Sequence, residues 1–126
     1  MNLNLKGKNA LVCGSTAGIG KAAAIELAKL GASVTLLARN ESKLKEVVKE
    51  LDQSNNQSHD YLVADFSNIE TLKNTLSSFN KTINILVNNT GGPPGGPITD
   101  AKIEEFTSAF SMHLLCNQLL VQRVKD

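Results

Sequence analysis

The sequence predicts an α/β fold, a doubly wound parallel sheet with helices on both faces. Three observations carry the prediction. Strand-like and helix-like apolar patterns alternate along all 126 residues. The strand-like runs lack clean period-two alternation, as strands covered on both faces should. The first of them leads directly into a glycine turn, Gly14-Ser15-Thr16-Ala17-Gly18-Ile19-Gly20, that opens a helix.

Asn9–Cys13 reads as the first strand. Ile19, Ala23, Leu27 and Leu30 then recur at helical spacing, and Gly31 suits the C′ position that closes the helix. Ser33–Ala38 is β-branched and apolar, the second strand. Asn40 can cap a helix whose Leu44, Val47, Val48 and Leu51 share one side, while Glu41 and Lys45 sit at i,i+4. A polar connection, Asp52–Asp60, precedes a third strand over Tyr61–Asp65. Ser67-Asn68-Ile69-Glu70 has the form of a capping box, followed by Ile69, Leu72, Leu76 and Phe79 on a helix. Ile83–Asn88 reads as the fourth strand. Gly91-Gly92-Pro93-Pro94-Gly95-Gly96-Pro97 excludes regular structure, because proline removes donors and glycine costs entropy. A long helix is expected from Asp100 to Val124. Right-handed crossovers then give the strand order 3-2-1-4, a Rossmann-like sheet within one domain, 1–126.

Composition excludes several classes of function. Thirteen Lys and Arg balance twelve Asp and Glu, dispersed along the chain, so no nucleic-acid stripe or polybasic membrane patch exists. No apolar run approaches the length of a membrane span, and Met1–Lys6 lacks a signal-peptide core. Cys13 and Cys116 lie in apolar segments and read as reduced, buried thiols, which fits a cytoplasmic protein. No Cys/His spacing resembles a metal site. His59, in a polar loop, reads as featureless.

The glycine turn points to an anion site. A helix N-terminus offers unpaired N–H groups and partial positive charge, and glycine lets a pyrophosphate approach the main chain. A mononucleotide phosphate loop does not fit: Ser15 stands where its first glycine belongs, and Ala22 replaces the magnesium-binding hydroxyl after Gly20-Lys21. A dinucleotide does. Strands one and four are neighbours in the order 3-2-1-4, so the loops that follow them converge on one crevice at the switch point.

Gly14-Ser15-Thr16-Ala17-Gly18-Ile19-Gly20 together with Asn88-Asn89-Thr90-Gly91 resembles the short-chain dehydrogenase/reductase family, whose hallmarks are T-G-x-x-x-G-x-G and N-N-A-G segments at these places. The likeness covers this chain but only the N-terminal half of a typical member. It implies that Gly14, Gly18, Ile19 and Gly20 hold the pyrophosphate, with Ser15 and Thr16 donating to it. It implies that Asp65 accepts from the adenine amino group, that Asn88 bridges the central strands and contacts the adenosine ribose, and that Gly91 leaves the ligand room. Arg39, after strand two, decides the coenzyme: an acid there would select NAD, whereas a guanidinium suits the 2′-phosphate of NADP. Asn40 can assist Arg39. NADP is therefore expected over NAD, although Ala17 replaces the family's frequent second basic residue.

Other departures follow. Cys13 stands in place of threonine and Thr90 in place of alanine. His113, by its offset from Phe106, falls at the family's helix asparagine, which supports the catalytic lysine through water. An ordinary helix histidine is the alternative. The family's Tyr-x-x-x-Lys is not found in these residues: the single tyrosine, Tyr61, is followed four positions later by Asp65. The chain thus reads as truncated after its fourth helix. Three functions stay open: the coenzyme half of an NADP-dependent reductase acting on a small carbonyl or alcohol, similar to 3-oxoacyl-carrier-protein reductases; a catalytically inactive dinucleotide-binding or oligomerising module; and a non-functional gene remnant. The 100–124 helix carries two apolar stripes, one with Phe106, Phe110, Leu114 and Val121, the other with Met112, Leu115 and Leu119; one can cover the sheet, and the other calls for a partner, as in self-association, or is surface left bare by truncation.

Overall fold

A computed structural model describes residues 1–126. Strands β1 (Asn9–Cys13), β2 (Ser33–Ala38), β3 (Asp60–Val63) and β4 (Ile85–Val87) form one parallel sheet in the order β3-β2-β1-β4, as the sequence predicts. Val12 sits opposite Leu36 and Val87, and Leu37 opposite Leu62. Alternate residues of β1 serve opposite layers. Ala10 and Val12 pack with Ala24, Ala28, Leu44 and Val47 from helices α1 (Gly18–Lys29) and α2 (Glu41–Glu50). Leu11 and Cys13 pack with Leu72 and Leu76 of α3 (Ile69–Ser77) and with Cys116 and Leu120 near the C-terminus. Each fully buried leucine stabilises this two-sided core by roughly 1.5–3 kcal/mol.

The helix caps account for most element boundaries. Gly31, at φ +100°, ends α1: its amide bonds Ala28 O at 2.9 Å and that of Ala32 bonds Leu27 O at 3.0 Å, a Schellman pair. Asn40 Oδ1 accepts from Lys43 N at 3.0 Å to start α2, and Glu41 pairs with Lys45 at 2.8 Å. Four expectations need correction. The buried face of α1 is Gly20, Ala24 and Ala28, while Ile19 and Leu30 are exposed; small side chains let this helix lie close against the sheet. The cap of α3 is Asn68, which accepts from Glu70 N at 3.1 Å, because Ser67 is committed to Asp65. Strand β3 stops at Val63, since Asp65 N turns away to Thr71 Oγ1, 3.2 Å distant. Strand β4 likewise covers three of the six residues expected.

The expected long helix is broken into parts. A 3-10 turn over Ile98–Asp100 precedes α4 (Ile103–Phe110), a π turn (Ser111–Leu115) and α5 (Cys116–Val124). Lys102 has extended backbone, and its amide donates to Glu105 Oε2 at 2.7 Å, so the helix starts at Ile103. Insertion of one π turn also shifts the helix face. Cys116 and Leu120, with Leu119 and Val124 beside them, cover the sheet, so neither predicted stripe does so as a unit.

Candidate functional site

The loops leaving β1, β2, β3 and β4 at their carboxyl ends surround a cleft of about 480 Å³. Its floor is Gly14, Thr16, Ala17 and Gly18, its far wall Arg39 and Asp65, and its near wall Asn89, Thr90 and Gly91. Local chemistry explains why the floor takes this shape. Gly14 at φ +58° and Gly18 at φ +53° adopt left-handed backbone, which a side chain would strain. A Cβ on Gly20 would strike Gly14 O and come within 2.8 Å of Asn89 Nδ2, so α1 can meet the turn only through a glycine. A Cβ on Gly18, by contrast, would meet nothing within 4 Å and would project into open space.

The start of α1 is electrically uncommitted. No side chain caps it and no acid lies in its first turn. The first amide to bond back is Lys21 N, to Ala17 O at 3.2 Å, which leaves those of Gly18, Ile19 and Gly20 without a protein acceptor. Arg39, also exposed, makes no ion pair or side-chain hydrogen bond. On the same wall, the Ser67 amide and hydroxyl, 2.9 and 2.7 Å from Asp65 Oδ1, hold the Asp65 carboxyl below its usual range, and the Arg39 charge acts in the same direction. Asp65 is thus an ionised acceptor at the rim that also closes the turn into α3.

The residues expected to form the site divide into two groups. Gly14, Thr16, Gly18, Arg39, Asp65 and Gly91 come together around the cleft. Ser15, Ile19, Gly20, Asn88 and His113 do not line it. Ser15 is fully buried, and its hydroxyl accepts from Leu37 N at 3.1 Å, so it ties the turn to β2 and is not placed to donate to a ligand. Ile19 offers only its amide, its side chain being 80% exposed. Asn88 is exposed; the cross-strand role expected of it belongs to Asn89, whose Nδ2 lies 3.3 Å from both Cys13 O and Gly14 O. The doublet Asn88-Asn89 marks the place but cannot say which member faces inward. His113 lies behind the near wall, with Nδ1 2.6 Å from Thr90 Oγ1. The lone tyrosine is remote: Tyr61 hydroxyl donates to Glu41 Oε1 at 3.1 Å. No group of His, Cys, Asp and Glu side chains could hold a metal ion, and no helix is long and apolar enough to cross a membrane.

Comparison with known proteins agrees with this geometry. The short chain dehydrogenase family model matches residues 8–125. The uncharacterized oxidoreductase YvaG of Bacillus subtilis is 36% identical over 123 residues, which span 98% of this chain and 47% of that protein. A tropinone reductase homolog of Arabidopsis thaliana is 39% identical over 128 residues, 93% of this chain and 49% of its own length. Among solved structures, L-sorbose reductase from Gluconobacter frateurii, complexed with NADPH and L-sorbose, superposes with a TM-score of 0.86 at 28% identity, over 99% of this chain and 49% of the other. A gluconate 5-dehydrogenase from Burkholderia cenocepacia, in complex with NADP and tartrate, gives 0.83 at 26% identity, over 98% and 49%. The chain therefore spans about half the length of the proteins it matches. With its four-stranded 3-2-1-4 sheet and a glycine turn opening onto one cleft, this chain belongs to the short-chain dehydrogenase family.

Proposed function

We propose that these residues form the NADP-binding half of a reductase that transfers hydride between the nicotinamide ring and a small carbonyl or alcohol. The observation that carries the reading is the run of acceptor-free amides at Gly18, Ile19 and Gly20, which begins at the cleft with Gly18, together with the unpaired Arg39 guanidinium lining the same cleft. A diphosphate satisfies the first, and a 2′-phosphate satisfies the second through bidentate hydrogen bonds. Gly14 and Thr16 complete the phosphate floor, Asp65 accepts from the adenine amino group, and Gly91 leaves space beside the ribose. When bound, the coenzyme supplies the hydride; this chain's residues bind and orient it. Tyr61 is not a proton donor for the reaction, since it faces Glu41 away from the cleft.

We assign the protein to the cytoplasm on its two unpaired buried cysteines, which suit a reducing compartment. The exposed Phe106, Phe110 and Leu114 are our candidate for a self-association face.

Calorimetric titration separates NADPH from NADH. NADPH is expected to bind more tightly, and Arg39→Ala to weaken NADPH about tenfold or more while leaving NADH unchanged. Equal affinities insensitive to Arg39→Ala contradict the NADP assignment. Carbonyl-dependent NADPH oxidation by these 126 residues alone would contradict the expectation that turnover needs the Tyr-x-x-x-Lys pair, which the family resemblance implies exchanges a proton with the substrate oxygen and which these residues do not contain.

A further inference from the structure

Two positions at which this chain departs from its family's pattern are bonded to each other. Thr90, in the loop after β4, and His113, in the π turn, are 23 residues apart, with Thr90 Oγ1 2.6 Å from His113 Nδ1. Thr90 lines the cleft. The other imidazole nitrogen, His113 Nε2, is buried without a partner, and so is Asn117 Oδ1 four residues further along. The orientation of the Asn117 amide is settled, because its Nδ2 donates to the His113 carbonyl at 2.6 Å.

A threonine hydroxyl both donates and accepts, and the imidazole tautomer decides which role remains open. If the proton sat on Nε2, a buried N–H would have no acceptor. Asn117 Oδ1, one helical turn further along, is itself unpartnered and so does not accept from it. An orphaned N–H is rarer in folded proteins than an under-used acceptor. The proton therefore belongs on Nδ1, which donates to Thr90 Oγ1. Thr90 keeps its own hydroxyl proton for whatever occupies the cleft.

We propose that Thr90 donates a hydrogen bond to an acceptor oxygen of the bound dinucleotide, and that His113 is the positioning residue that fixes the hydroxyl in this donor role. The inference rests on the coenzyme-binding reading above. It assigns to a threonine–histidine pair a contact that neither an alanine nor an asparagine at these positions could make in the same way.

Two measurements test it on the full chain. Long-range proton–nitrogen NMR of His113 should show Nδ1 protonated and Nε2 bare; a proton on Nε2 would overturn the assignment. In NADPH titrations, Thr90→Ala should raise Kd about fivefold and Thr90→Ser should restore it. Adding His113→Ala to Thr90→Ala should change Kd no further. Wild-type binding of NADPH that Thr90→Ala leaves unchanged overturns this inference alone. A wild-type chain that binds no NADPH overturns the coenzyme reading, and this inference with it. Thermal melting checks that each variant folds, and the tautomer, measured on the unaltered chain, decides the matter if Thr90→Ala does not.

Discussion

Gly18 and Gly20 are two residues apart and carry opposite demands. Gly20 is closed in by Gly14 O and Asn89, so Gly20→Ala forces α1 away from the turn and should cost about 3 kcal/mol of stability or more, read from urea midpoints. Gly18 is open, and Gly18→Ala should cost only about 1–2 kcal/mol through its left-handed backbone while placing a methyl group in the cleft. Equal losses at the two positions would contradict this division. Cys13 sets a different dependence. Burial pushes its thiol up to about 12 from 9.0, against a hydrogen bond from the Asn89 backbone. Above pH 9.0 the unfolded chain releases this proton and the folded chain keeps it. Its contribution is therefore complete below that pH and lost towards about 12, at about 1.4 kcal/mol per pH unit. Urea unfolding should show this alkaline slope, reduced in Cys13→Ala; an identical slope in the variant would rule Cys13 out as its source.

At the scale of elements, β1, β2 and α2 were legible because local signals and tertiary packing agree. Asn40 caps, Leu44 and Val47 face the core, and Gly31 closes α1. Legibility failed where a contact from elsewhere in the chain decides. Ile19 outranks Ala24 in hydropathy, yet close approach of α1 to the sheet requires the small residue inside. Ser67 and Asn68 are both good caps, and the Asp65 carboxylate takes Ser67 out of contention. The π turn within 111–115 left no mark in the apolar periodicity. His59 is the clearest omission. Its Nδ1 accepts from the buried Val34 amide at 3.0 Å, so Nε2 carries the proton and donates to Asp52 O at 2.8 Å. This loop side chain thus satisfies a β2 backbone donor from a segment that reads as featureless. His59→Ala should lower stability by about 1–3 kcal/mol, by leaving that amide unpaired. An unchanged unfolding midpoint would show that water replaces the imidazole at no cost.

For the molecule as a whole, topology does what no single motif can. Placing β1 between β2 and β4 brings the glycine turn, Arg39 and the Thr90-Gly91 loop to one end of one sheet. That convergence was predictable from the alternating elements and the positions of two short motifs. Which atoms face the cleft was not: Ser15 and Asn88 fit the motifs yet point elsewhere, and Asn89 carries the bond between loops. Coenzyme binding of the kind proposed requires the amides that open α1 to be directed at a diphosphate. Amide NMR during NADPH titration tests this most directly. The largest shift changes should fall on Gly18, Ile19 and Gly20, with Arg39 responding to NADPH but not to NADH. Changes confined to other parts of the chain, with these three amides unmoved at saturation, would contradict it.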